Sequence, residues 1–366
     1  MWYNISNAGE IDTPALAVYP ERIGENIRIL KSLVGDVAQL RPHVKTNKSP
    51  EACSMMISEG ITRFKCATIA EAEMLAMAGA PDVLLAYQPT GPKAERLARL
   101  VKKFPATLFS CLTDNEGSAD HIASVMVHAG VTIDVWIDLN IGMNRTGITP
   151  DKALGLYKRL MGTNGLRAAG LHAYDGHLRD EDLAERTRKC DEGFRTVTDL
   201  ASQIHAMLGE EPSIVAGGSP TFPIHAKRTG IQCSPGTFIY WDTGYASILK
   251  EQPFLFAAVV LTRVISKPGP GLICLDLGHK SIASENPLDR RVIFPDSPDL
   301  VPVGQSEEHL VMRTEHAERY SVGQLLYGLP YHVCPTVALY DTAWAVRGGN
   351  AVNDWHNPAR NRSITI

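Results

Sequence analysis

The sequence predicts an α/β fold: a (β/α)8 TIM-type barrel over residues 16–250, then a mainly β domain over residues 251–366. Residues 1–15 form an N-terminal segment expected to pack with the β domain. Three observations carry this. Eight short, apolar, β-branched runs alternate with helical or polar stretches, the texture changes near residue 250, and polar residues recur where the runs end. The runs are Val37 to Val44, Phe64 to Ala67, Val83 to Tyr87, Thr107 to Leu112, Ile133 to Leu139, Ala168 to Ala173, Ile214 to Ala216 and Thr237 to Trp241. An amphipathic helix marked by Ile23, Ile27, Leu30 and Val34 precedes the first. Thr68-Ile69-Ala70-Glu71 reads as a capping box opening a helix that stops at Gly79. An open doubly wound sheet would want a Gly-rich turn after the first strand, and Arg41-Pro42-His43 offers none.

Beyond residue 250 the runs Phe256 to Ile265, Leu272 to Leu277, Arg291 to Phe294, His309 to Met312 and Val337 to Tyr340 read as strands. They are separated by turns such as Lys267-Pro268-Gly269-Pro270-Gly271, with no long helical period. The 366 residues are 44% hydrophobic and 21% charged, with a net charge of -4, which argues for neither nucleic acid nor anionic membrane as a partner. The longest apolar stretch, Phe254 to Leu261, is too short to span a bilayer. Seven scattered cysteines without a CxxC pair fit reduced thiols and a cytoplasmic location.

In such a barrel the chemistry lies at the C-terminal ends of the strands. Lys45 stands there after the first strand. A lysine so placed can hold an aldehyde as a Schiff base, because desolvation and neighbouring cations free its amine. The same rim carries Arg145 after the fifth strand, His172 and Tyr174 on the sixth, Gly217, Gly218, Ser219 and Thr221 after the seventh, and Gly236, Thr237 and Tyr240 around the eighth. The Gly217-Gly218-Ser219 turn exposes backbone N–H groups beside hydroxyls, a cradle suited to phosphate. An amine and a phosphate site together fit pyridoxal 5′-phosphate.

The blocks Arg41-Pro42-His43-Val44-Lys45-Thr46-Asn47-Lys48, Asp138 to Gly147, Ala216 to Thr221 and His332-Val333-Cys334-Pro335-Thr336 resemble the D-threonine aldolase and D-serine dehydratase family. This family belongs to the alanine-racemase-like, fold-type III pyridoxal phosphate enzymes. The resemblance runs through nearly the whole chain in the family's order. It implies Lys45 as the Schiff-base lysine, Arg145 and Tyr174 near the cofactor ring, the Gly217 to Thr221 loop at its phosphate, a divalent metal beside the cofactor, and a homodimer. His332 and Cys334 are two apart, so on an extended segment both side chains leave one face and could share an ion. A thiolate with an imidazole favours Zn2+, with Mn2+ or Mg2+ the other candidates.

The resemblance implies a lyase acting on D-3-hydroxyamino acids. Retro-aldol cleavage to glycine and an aldehyde is favoured by the blocks Phe64 to Thr68 and Ser306 to Leu310, which are more like D-threonine aldolases; the His-x-Cys form is more like D-serine dehydratases, which eliminate hydroxide. A racemase, with Tyr327 or Tyr331 as second base, and a non-catalytic cofactor carrier are the other readings. His177, in Tyr174-Asp175-Gly176-His177, is the candidate base on the metal side.

Overall fold

In a computed structural model, which describes residues 1–209 and 211–366, the chain divides into two units. One comprises Leu30–Lys45, Cys53–Gly236 and Asn361–Ile366. Its seven strands, Arg63–Cys66, Asp82–Leu85, Leu108–Thr113, Ile133–Leu139, Leu166–Ala173, Ser213–Ala216 and Ile231–Cys233, form one sheet in chain order. Every neighbouring pair is parallel. Helices Ile69–Met77, Pro92–Lys103, Glu116–Ala129, Pro150–Met161 and Leu183–Leu208 make the crossovers that parallel pairing demands. Along Phe64–Cys66, Val83–Leu85 and Val135–Leu139 every residue is buried, the signature of strands covered on both faces. Thr68 caps its helix as expected, accepting the Glu71 N–H at 3.1 Å, while Glu71 accepts the N–H of Ala67, one residue before the cap, at 2.6 Å.

Two barrel strands differ from expectation. Residues 37–44 begin as a 3-10 turn, Val37–Gln39, because Asp36 and Gln39 form a capping box. They then make single parallel bridges, Leu40 to Cys233 and His43 to Lys65. This segment joins the last strand to the first and so occupies the eighth position. The run Thr237 to Trp241 is a buried 3-10 turn over Thr237–Ile239, and the last strand is the shorter Ile231–Cys233 just upstream. Pro235-Gly236 ends that strand, since Pro has no ladder donor.

The closing segment is also tied by charge. Arg41, only 1% exposed, donates to Asp82 at 2.6 and 2.8 Å, to Gln232 at 2.7 Å and to the Phe64 carbonyl at 3.3 Å. It thereby reaches the first, second and last strands.

The other unit comprises Met1–Ile29, Thr46–Ala52 and Thr237–Arg360. Its sheet runs Val301–Gln305, Leu310–Arg313, Leu272–Leu275, Ala258–Gly269, Ala15–Val18, Thr342–Arg347, Asn350–His356, with Leu325–Pro330 pairing off the path to Ala258–Gly269. Ala15–Val18 pairs antiparallel to Ala258–Gly269 and parallel to Thr342–Arg347, so the N-terminal segment is central to this sheet. Tyr3, Ile11, Ala17, Val259, Leu261 and Val346 pack around it. The run Val337 to Tyr340, expected as a strand, is the end of the helix Val333–Val337 and the turn after it, because Pro335 sits in the helix's first turn, where a missing N–H costs nothing. All seven cysteines are free. Among the described residues no helix is long and apolar enough to cross a membrane.

Arg41→Ala should lower the unfolding free energy by about 2–4 kcal/mol, since it leaves the Asp82 carboxylate, 21% exposed, with only the looser Arg63 pair at 3.9 Å and removes the bonds to Gln232 and Phe64. Denaturant unfolding of the single variants and of Arg41→Ala/Asp82→Ala checks this. The double variant should recover part of the loss, and equal stability of all four proteins would remove Arg41 from the account.

Candidate active site

The strand ends of the parallel unit converge on the ring of Tyr174. Lys45 Nζ lies 5.9 Å from its centroid, Lys65 Nζ 5.4 Å and Arg145 Cζ 5.0 Å. Lys45 lies two residues after the bridged His43, whose Nδ1 accepts the Lys45 N–H at 3.3 Å. Arg145 is delivered by the loop after Ile133–Leu139, which folds back so that Asn140 N–H reaches the Ile148 carbonyl at 2.9 Å. Among the described residues, none accepts a hydrogen bond from the side chains of Lys45, Lys65 or Arg145.

The nearby acids are engaged elsewhere. Asp138 accepts from His172 Nδ1 at 2.7 Å and Thr146 Oγ1 at 2.7 Å. Burial would raise its pKa, but those bonds and the Lys65 charge hold it below the usual carboxylate range. Burial, then Lys65, lowers the His172 pKa against the opposing pull of Asp138, so the ring is held neutral. Its Nε2 is buried without a partner.

The glycine turn after Ser213–Ala216 is shaped by contact. Gly217 has φ +74, and a Cβ there would lie 2.7 Å from His225 Cδ2 and 2.9 Å from Thr221 Oγ1. A Cβ on Gly218 would lie 2.9 Å from Tyr174 Cε2. Behind the turn, Asp175 accepts from Thr221 Oγ1 at 2.6 Å and His225 Nε2 at 2.8 Å. Thr221 Oγ1 accepts the Gly218 N–H at 3.4 Å, and Ser219 Oγ accepts the Gly236 N–H at 3.4 Å. Ser234 Oγ, on the adjoining loop, is buried with no partner.

Asp175, Cys190 and His225 offer ligand atoms within 4.8 Å of one another, all buried. Their environment favours a hydrogen-bond network over an ion. Burial, then Asp175, pushes the Cys190 thiol up to about 12. Arg228 donates to His225 Nδ1 and sets a guanidinium nitrogen 3.8 Å from the Cys190 sulfur.

His332 and Cys334 lie in the other unit. Their expected extended geometry is not what the chain adopts: His332 is the extended N-cap, φ -130 and ψ 102, and Cys334 is in the first turn of Val333–Val337. The cap brings the two side chains into hydrogen-bond contact all the same. His332 Nδ1 lies 2.5 Å from Glu285 Oε1. A carboxylate only accepts, so Nδ1 carries the proton and Nε2 is the ring nitrogen that could ligate an ion. Burial lowers the His332 pKa, but Cys334, Glu285 and Asp242 raise it to about 9. The Cys334 sulfur is 3.1 Å from Thr46 Oγ1 and 3.8 Å from Thr237 Oγ1. Thr46 is the residue after Lys45 in the chain.

Tyr240 is fully buried, and its hydroxyl accepts from Trp355 Nε1 at 3.0 Å. His177 is exposed, its ring against Gly142, beside a surface groove lined by Ile141, Arg179, Lys189 and Glu192. Sequence reasoning passed over Lys65, Asp175 and His225. Alternation along Arg63–Cys66 would have turned Lys65 to the face opposite Phe64, but a lysine inside a strand gives no sign of facing a barrel interior.

The chain is similar to known proteins along most of its length. Residues 18–243 match the alanine racemase N-terminal domain and residues 257–346 a putative serine dehydratase domain. A D-threonine aldolase from an Arthrobacter species is 30% identical over 361 residues, spanning 96% of this chain and 93% of that protein. A 3-hydroxy-D-aspartate aldolase from Paracoccus denitrificans is 28% identical, with 96% and 93% covered. The crystal structure of D-threonine aldolase from Filomicrobium marinum superposes with a TM-score of 0.87 at 27% identity, covering 96% of each chain.

Gly217→Ala should destabilise the protein by about 1–3 kcal/mol, from its positive φ and the collision with His225. Denaturant unfolding checks this; a neutral result would mean that the turn relaxes freely.

Proposed function

The chain belongs to the alanine racemase N-terminal domain family, in the family that includes D-threonine aldolase, and on that premise we propose that it is a pyridoxal-phosphate- and divalent-metal-dependent lyase cleaving D-3-hydroxyamino acids, D-threonine first among them, to glycine and an aldehyde. The observation that carries the reading is the cluster around Tyr174: an amine at the end of the closing segment, with two further cations that have no acid of their own. Cations left unpaired in a half-buried site fit a ligand that brings anionic groups.

The residues present fit the cofactor. Lys45 would bond its aldehyde, Tyr174 and Arg145 would lie by its ring, and Gly217 and Gly218 would let the backbone approach its phosphate without a Cβ in the way. The unpartnered Ser234 hydroxyl suits a ring heteroatom. When bound, the cofactor supplies an electron sink for the bond that breaks at Cα.

His332 Nε2 and the Cys334 sulfur would hold a divalent ion, Zn2+ by the softness of the pair. Glu285 fixes the His332 ring by accepting from Nδ1. An ion must displace the proton that His332, with its pKa near 9, holds in the free protein. Thr46 and Thr237 place hydroxyls by the sulfur that could donate to it when it ligates an ion. Two protein ligands leave positions open for a substrate hydroxyl. His177 remains our candidate for the group that takes that hydroxyl's proton, on its sequence position after Tyr174-Asp175-Gly176. The seven free thiols support a cytoplasmic setting, and the family resemblance supports a homodimer.

A dehydratase is the second reading, favoured by the match of residues 257–346 to a putative serine dehydratase domain. Incubation with D-threonine and D-serine, with glycine, acetaldehyde, pyruvate and 2-oxobutyrate all quantified, separates the two. We expect glycine and acetaldehyde in equal amounts from D-threonine, with turnover lost to chelator and lowered by orders of magnitude in His332→Ala. Oxo acids as the main products would establish the dehydratase, and full activity of metal-free His332→Ala would exclude the metal-assisted route.

A further inference from the structure

Lys65 counts in the cationic cluster described above but has no role of its own in the reaction. It lies on the first strand, Arg63–Cys66, 3% exposed, with its backbone locked between Pro42 and Val44 by hydrogen bonds of 2.9 Å. Its side chain shares the Tyr174 ring with Lys45 and Arg145. The groups that act on it electrostatically are Lys45 and Arg145 against Asp138 and Asp175. Both acids are taken: Asp138 by His172 and Thr146, Asp175 by Thr221 and His225. His43 bridges to Lys65 through the backbone, and the neighbouring His172 presents a buried, unpartnered Nε2. A buried ammonium with no acceptor and two cationic neighbours is an unfavourable arrangement for the empty protein. It becomes favourable when an anion enters.

We propose that Lys65 is an anion-receiving amine of this site, which gives up its proton readily while the site is empty and holds it when an anionic oxygen of the bound aldehyde cofactor, or the carboxylate of an amino acid, lies beside it. The inference rests on the cofactor reading given above. The electrostatics agree with the geometry. Burial first, then the Lys45 charge, lowers the Lys65 pKa to about 7 in the ligand-free protein. An unfolded lysine keeps its proton to about pH 10.4. Between those values the unfolded chain binds a proton that the folded chain does not, so stability rises with pH across the window and Lys65 destabilises the empty protein below it.

Lys65→Met keeps the length of the side chain and removes the amine. It should raise the denaturation midpoint of the cofactor-free protein at pH 7 and flatten the rise in stability between about pH 7 and 10. Calorimetric titration of cofactor-free protein with pyridoxal 5′-phosphate at pH 8, in buffers of different ionisation enthalpy, counts protons directly. The native protein should take up about one proton per site more than Lys65→Met. Uptake at this step assigns the anion to the cofactor; uptake only on later addition of D-threonine assigns it to the amino acid carboxylate. Either supports the proposal. Equal proton counts in the two proteins at both steps, or a Lys65→Met protein no more stable than the native one, would overturn it. A native protein that binds no pyridoxal phosphate, and so develops no visible band, overturns the cofactor reading and this inference with it, whereas equal proton counts in a protein that does bind it leave that reading standing.

Discussion

Four backbone hydrogen bonds hold the segment that closes the barrel, and the candidate site is built on them. Arg41 and His43 donate to Cys233 and Pro235 at 2.8 and 2.9 Å, while Val44 donates to Lys65, and Lys65 to Pro42, at 2.9 Å each. Donors alternate between the last strand and the first, as an extended chain with two-residue periodicity requires. Pro42 lacks an N–H, but only its carbonyl is called on. The segment is too short to form a ladder, and Arg41 supplies the missing cohesion from within. Its direction fixes where the chain emerges, and the residue that emerges is Lys45.

From this constraint the electrostatics follow. Bringing the first strand against the closing segment sets Lys65 and Lys45 on one aromatic ring, and the loop after the fourth sheet strand adds Arg145. Where the parallel unit buries acids it pairs them at once, Asp138 with His172 and Asp175 with His225. The two pairs differ in use. Asp138–His172 sits under the cationic cluster, whereas Asp175–His225 braces Thr221 and the glycine turn, with Arg228 closing the chain of bonds. An arrangement that leaves cations unpaired while satisfying every nearby acid is costly for the empty protein and useful for a ligand rich in anionic oxygen.

The sequence made most of the parallel unit legible because barrel strands are continuous apolar runs ended by turn residues, as at Val135 to Leu139 before Asn140. It misled at Thr237 to Trp241, where an apolar, aromatic run is buried without pairing. The three-residue strand Ile231–Cys233 gives too short a signal to read. In the other unit, Val301–Gln305 holds Pro302 and Gly304, which erase strand character and survive there because the strand is an edge. Ala15–Val18 was missed because its partners lie more than two hundred residues away. Lys45, Arg145, Tyr174 and the glycine turn could be named from sequence since each ends a readable strand. Lys65 could not, since its significance is a buried amine without a hydrogen-bond acceptor, a property of the folded interior.

The central claim is that the closing segment delivers the cofactor's lysine. Borohydride reduction of the pyridoxal-phosphate-loaded protein, followed by proteolysis and mass mapping of the pyridoxyl label, tests it most directly. The account predicts a single labelled peptide carrying Lys45. Label on Lys65, Lys48 or Lys280, or none on a protein that binds the cofactor, would contradict it.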